Sequence, residues 1–141
     1  MTALATYSRR SPALCWASAA MILGWGLTLA APGDTLAAFP AYDLLEARAP
    51  ENTWALTLIL IGIMRMVALI INGRLPRGSP VARGFAAFLG ALVWSQFFAA
   101  FLDFSWRTGA PSGGLTVYFV LCVADVFSCG RAGWDAVRRW R

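Results

Sequence analysis

Apolar residues in this chain gather into four blocks, each about the length of a membrane-crossing helix, with polar punctuation between them. Residues 13–31, 53–71, 85–102 and 115–134 read as the four spans. At about 1.5 Å of rise per residue, each block approaches the thickness of a bilayer's hydrocarbon core. The runs are continuous rather than alternating, so the pattern predicts transmembrane helices and not a barrel or a soluble core. Pro32-Gly33, Pro76, Pro80, Pro111 and Gly113-Gly114 mark the breaks, where chain-turning residues belong. Trp54, Trp106 and Trp134 fall at the ends of spans, the depth that interfacial indoles prefer. Between Pro40 and Pro50, "AYDLLEARA" fits two helical turns lying on the outer surface with Leu44 and Leu45 turned down. The prediction is an all-α protein, an integral membrane four-helix bundle forming one domain over residues 1–141.

Composition strengthens this picture. The chain is 59% hydrophobic and 13% charged, against roughly a quarter charged in ordinary globular proteins, and its mean hydropathy is +0.61. Its net charge of +5 comes wholly from arginine, with no lysine and no histidine. Basic chains favour nucleic acid or anionic surfaces. Here the arginines stand beside apolar blocks and no nucleic-acid module is present, so lipid is the expected partner and the "RRWR" tail is expected to meet anionic headgroups. Cys15, Cys122 and Cys129 all lie inside apolar blocks without a CxxC pair, as small packing side chains rather than a disulfide framework.

Arginine placement predicts the topology. Arg9 and Arg10 precede the first span, "NGRLPRGSPVAR" joins the second to the third, and Arg138, Arg139 and Arg141 follow the fourth, with Arg131 in its last turn. The other two connections carry four acids against one arginine, and Asp103 with Arg107. The positive-inside rule therefore predicts N-in/C-in, with both termini and the Gly73–Arg83 loop in the cytoplasm of a bacterial inner-membrane protein. Arg9-Arg10, the apolar run and "TLAA" also resemble a cleavable secretory signal, with a hint of a twin-arginine start. The run is longer than most signal cores, so retention as a span is the expectation; cleavage would leave three helices.

Three strongly polar residues lie inside the spans. Counting along the helices puts Arg65 about 18 Å, Asp125 about 15 Å and Gln96 about 12 Å below the outer boundary, one layer about 6 Å deep. Each sits on a stripe at helical spacing: Gly62, Arg65, Leu69 and Asn72; Tyr118, Cys122, Asp125, Cys129 and Ala132; Gln96, Ala99, Ala100 and Asp103. Ala86 with Gly90, and Ala20 with Gly24, are small-xxx-small pairs of the kind that let helices approach. An intramembrane charge costs from about 2.5 to over 10 kcal/mol. The expectation is therefore an Arg65–Asp125 ion pair inside the bundle with Gln96 as a further hydrogen-bond partner, and Gly62, Asn72, Ala86 and Gly90 as packing positions. Snorkelling of Arg65 past Asn72, a protonated Asp125, or a charged substrate path are the alternatives.

"APENTWALTLILIGIMRMVALIING", the helix "SPVARGFAAFLGALVWSQF" and "GGLTVYFVLCVADVFSCGRAGWDA" resemble a loosely defined family of small phage- and prophage-encoded membrane proteins. The shared pattern is G-x-x-R-x-x-A-L-x-x-N-G, then a Trp and Gln, then G-L-x-x-Y and a late Asp, Arg and Asp. Gly62, Arg65, Ala68, Leu69, Asn72, Gly73, Trp94, Gln96, Gly114, Leu115, Tyr118, Asp125, Arg131 and Asp135 carry it, across Tyr42–Arg138. The resemblance implies origin and topology, and no assigned activity.

Without histidine, the commonest metal ligand and general base is missing, and no GxSxG, GxxxxGK[ST] or HExxH is present. No catalytic residue, cofactor or metal is expected. The expected role is helix association, as a homo-oligomer or within a larger membrane assembly. A holin-like lesion former, a small transporter or channel, and an accessory subunit remain the alternatives. For the last, the aromatic strip Phe85, Phe88, Trp94, Phe97, Phe98 and Phe101 faces either a partner or lipid.

Overall fold

The computed structural model describes residues 13–74 and 80–139, and these contain helices but no strand. Helix α1 covers Ala13–Ala30, a single 3-10 turn covers Pro40–Tyr42, and the short helix α2 covers Asp43–Arg48. Three long helices follow: α3 over Glu51–Arg74, α4 over Pro80–Thr108 and α5 over Gly113–Arg139. All but α2 are long and apolar enough to cross a membrane. The last three outrun the apolar blocks that announced them, because a helix keeps its backbone hydrogen bonds whether or not the side chains turn polar. Their ends carry matching signals. Pro80 opens α4, where its missing N–H is no loss, and Gly109 closes it in a left-handed conformation (φ +69°) with its N–H returned to the Ser105 carbonyl at 3.0 Å.

The long helices pack as two antiparallel pairs, α1 with α3 and α4 with α5, joined mainly through α3 and α4. Glycine sets the first pairing. A Cβ added at Gly26 would fall 2.7 Å from the Ile59 nitrogen, and one at Gly62 would fall 2.8 Å from the Leu23 Cα. The two backbones therefore touch, as small residues permit in membranes. Gly62 is the packing position its stripe predicted. Ala20 and Gly24, the small pair on α1, face outward, and a Cβ added at Gly24 would meet nothing within 4 Å. In the second pair, Gly84 faces Ala132 and Gly114 lies under the Phe101 ring.

The core beneath one end of the bundle is aromatic. Trp94 and Phe97 are its largest fully buried side chains, and Trp94 stacks on Tyr118 at 5.8 Å between centroids. Phe97 touches Trp25, Tyr42 and Tyr118. The aromatic strip read from α4 as a single outward surface thus divides. Phe85 and Phe88 are exposed, Phe98 and Phe101 half-buried, and Trp94 and Phe97 interior.

The connection from α1 to α3 folds down onto this core, and helix α2 with the Pro40–Tyr42 turn packs on α4. Leu36 and Leu45 are buried, and Leu44 is half-buried. The Glu51 carboxylate, at the first turn of α3, accepts from the Thr35 and Leu36 amides at 3.0 and 2.9 Å. The Trp54 indole donates to the Leu45 carbonyl at 2.9 Å. Tyr42, at the centre of this cap, is buried beside Tyr118, and burial raises its phenol above the ordinary range. Around the outside, apolar side chains stay exposed along each long helix, including Leu56, Leu60, Ile63 and Val67 on α3. Water is a poor solvent for so continuous an apolar mantle.

Candidate functional site

A buried ionic network lies at the middle of the bundle, and each of the four long helices contributes one member. The Arg65 guanidinium on α3 meets the Asp125 carboxylate on α5 through two parallel bonds of 2.7 Å, Nη1 to Oδ2 and Nη2 to Oδ1. This fork-to-fork geometry is the strongest way the two groups can pair. Arg65 is 2% exposed and Asp125 1%. The Ser18 hydroxyl on α1 donates to Asp125 Oδ2 at 2.8 Å. The Trp94 indole N–H on α4 in turn donates to Ser18 Oγ at 2.9 Å. Charge is balanced within the pair, and each polar group added to it arrives as a donor toward the carboxylate.

The space for this arrangement comes from a missing side chain. Among the pairings of the long helices in the described residues, α3 with α5 is the one without extended contact, so the guanidinium must pass α4 to reach its partner. It does so over Gly90. A Cβ there would sit 1.1 Å from Arg65 Nη1 and 2.3 Å from Asp125 Oδ2. Gly90 is therefore less a helix-packing position than the floor of the ionic site. Ala86, one turn away, is buried as expected. The side chain of Asn72 lies outside the described residues.

Gln96 does not join the network. It is half-buried, and its amide oxygen accepts from Arg48 Nη1, in the connecting segment. The reason is angular. Two residues beyond Trp94, Gln96 is turned by about 200° around the helix, away from the face on which Trp94 reaches the pair. Conversely, Ser18 completes the network although it carries no charge to advertise it. Trp94 did carry a signal: an indole in mid-span needs a partner for its N–H when buried.

A crevice of about 10 Å³ beside Arg65 is lined also by Cys15, Ala68, Leu69, Arg83, Ala86 and Ala87. That is roughly the space a single water needs. Arg83 on α4, one of its lining residues, is ion-paired with Asp135 on α5. Cys15 Sγ lies 3.3 Å from Ser128 Oγ, and Cys122 Sγ donates to the Ala91 carbonyl at 3.6 Å. All three cysteines are free thiols. Among the described residues no cluster of acids and cysteines is placed to hold a metal ion.

No family model, curated protein or solved structure matches the chain. The class therefore rests on the fold itself: an all-helical chain with four helices long and apolar enough to span a membrane, which suggests a multi-pass membrane protein.

Proposed function

We propose that this is a non-enzymatic protein of the bacterial inner membrane, oriented N-in/C-in, which works by holding a helical bundle together and presenting its outer faces to other helices. The observation that carries this reading is the closed network of Arg65, Asp125, Ser18 and Trp94. One polar group from every long helix is spent on the others, and the crevice beside Arg65 has room for about one water. A carboxylate held by two guanidinium bonds and a hydroxyl is a poor proton carrier unless its partner moves, so a structural role fits better than transport. The arginine-rich 73–83 loop and C-terminal tail support the orientation. The resemblance to small phage- and prophage-encoded membrane proteins supports a phage origin, for which endolysin, tail or capsid genes alongside would speak.

A holin-like role is the second reading, favoured by the outward-facing Ala20 and Gly24, since small residues on a lipid-facing surface suit self-association. Controlled expression separates the two. Sustained membrane potential and viability at high expression are expected for the structural role, and an abrupt collapse of both would establish the lesion former. Reporter fusions after Arg141 and within the 32–39 segment should be active in the cytoplasm and the periplasm respectively. The reverse pattern would overturn the orientation.

A further inference from the structure

A broad, open hollow lies away from the ionic network, on the outward face of α5. It measures about 400 Å³ and is edged by Val126, Phe127, Gly130, Arg131, Trp134 and Asp135. Gly130 creates it, because a Cβ there would meet nothing within 4 Å. Phe127 and Trp134, among the most exposed large apolar side chains of the protein, stand on either side. Arg131 is exposed and makes no hydrogen bond or ion pair with the described residues. Arg138, two turns beyond, lies over the Trp134 ring at 5.2 Å. Asp135, the one acid on the rim, is already paired with Arg83.

We propose that this hollow is a binding site for one anionic phospholipid, with an acyl chain along Val126, Phe127 and Gly130 and the headgroup phosphate between Arg131 and Arg138. Depth supports the assignment. Counted from Leu115 as the far boundary, Arg131 lies about 24 Å along the helix, Trp134 about 28 Å and Arg138 about 34 Å, so the two cations bracket the edge of a ~30 Å hydrocarbon layer. A cation just inside that edge extends its charged head outward and keeps its stem in the apolar layer. Two positive charges at headgroup level, neither with an acidic partner among the described residues, select a negative lipid, at about 1 kcal/mol or fivefold for each. A second copy of this chain would bring the same positive charge to the same place, which makes it the poorer occupant. The site depends on the membrane-spanning reading but not on which end faces the cytoplasm.

The test uses the full chain, purified in mild detergent and offered phosphatidylglycerol or phosphatidylcholine, with bound lipid counted by native mass spectrometry. The wild type should retain phosphatidylglycerol over phosphatidylcholine by more than tenfold. Arg131→Gln and Arg138→Gln should each reduce that preference about fivefold, and Gly130→Leu, which fills the hollow, should reduce retention of both lipids. None of the three should lower the thermal midpoint in lipid-free detergent, since none touches the bundle interior. Equal retention of the two lipids by the wild type, or an unchanged preference in both arginine variants, would overturn the proposal. So would displacement of the lipid by millimolar inorganic phosphate, which would mean that only the anion is recognised. A chain that stays bilayer-embedded but shows no preference refutes the lipid site alone. A chain recovered in the aqueous fraction refutes the membrane reading beneath it.

Discussion

Arg65 and Arg131 are the same residue set in the same kind of apolar helix, and the structure uses them in opposite ways. Arg65 is enclosed, with both of its terminal nitrogens committed to Asp125. Arg131 faces outward with no partner among the described residues. Position along the helix accounts for half of the contrast. An arginine at mid-depth has no headgroup within reach and must find its counter-charge inside the protein, whereas one near the helix end can extend to the interface. The other half is set by glycine. Gly90 removes a side chain between Arg65 and its acid, and Gly130 removes one beside Arg131 on the outer surface. One glycine opens the interior to a charge, and the other opens the exterior to a lipid.

The contrast breaks most visibly if one half of the buried pair is removed. Arg65→Leu or Asp125→Leu strands a charge at the centre of the bundle, and breaking a buried pair in this way costs about 3–5 kcal/mol. Either change should sharply lower both membrane abundance and the thermal midpoint in detergent, while Arg131→Leu should leave the midpoint unchanged. The double change, Arg65→Leu with Asp125→Leu, should recover much of the loss because no charge is then unpaired. Losses that simply add would show that the two groups do not depend on one another.

Gly90→Ala sharpens the point without touching a charge. Its methyl group would collide with both Arg65 Nη1 and Asp125 Oδ2, so the guanidinium must retreat or α4 must shift, at about 1–3 kcal/mol for an overpacked interior. Gly24→Ala, in open space, is the matched control and should be neutral or stabilising by up to about 1 kcal/mol, since alanine is the better helix former. In the Arg65→Leu, Asp125→Leu background the cost of Gly90→Ala should shrink, as expected of residues sharing one site. An equal cost in both backgrounds would return Gly90 to an ordinary packing position.

Much of this was readable from the chain and some was not, for reasons of geometry. Four apolar blocks announce four helices because length and hydropathy are one-dimensional properties. The Arg65–Asp125 pair was within reach of the same reasoning, since rise per residue converts sequence position into depth. Depth carries no information about direction around the helix, and there the reading of Gln96 failed: its layer was close to that of the pair, and its face was not. Ser18 escaped notice because a serine can satisfy itself on its own helix backbone, so nothing in "CWASAAM" marks it as a partner. Small residues were ambiguous in the same way. Gly24 and Gly26 are two positions apart on α1, and only the second meets α3.

Ser18 is also where the smallest effect is expected, and the most diagnostic one. Ser18→Ala leaves the Trp94 indole N–H without its acceptor and takes one donor from Asp125 Oδ2, while Arg65 keeps both of its bonds. Hydrogen bonds between membrane helices contribute about 0.6 kcal/mol on average, so the thermal midpoint should fall slightly and abundance hardly at all. The informative measurement is the coupling. If the serine acts by supporting the carboxylate, its removal should matter less once Asp125 is leucine, leaving only the orphaned indole to register. A cost independent of residue 125 would mean that Ser18 serves Trp94 alone, and that α1 is held to the bundle by packing rather than by a share in the ion pair.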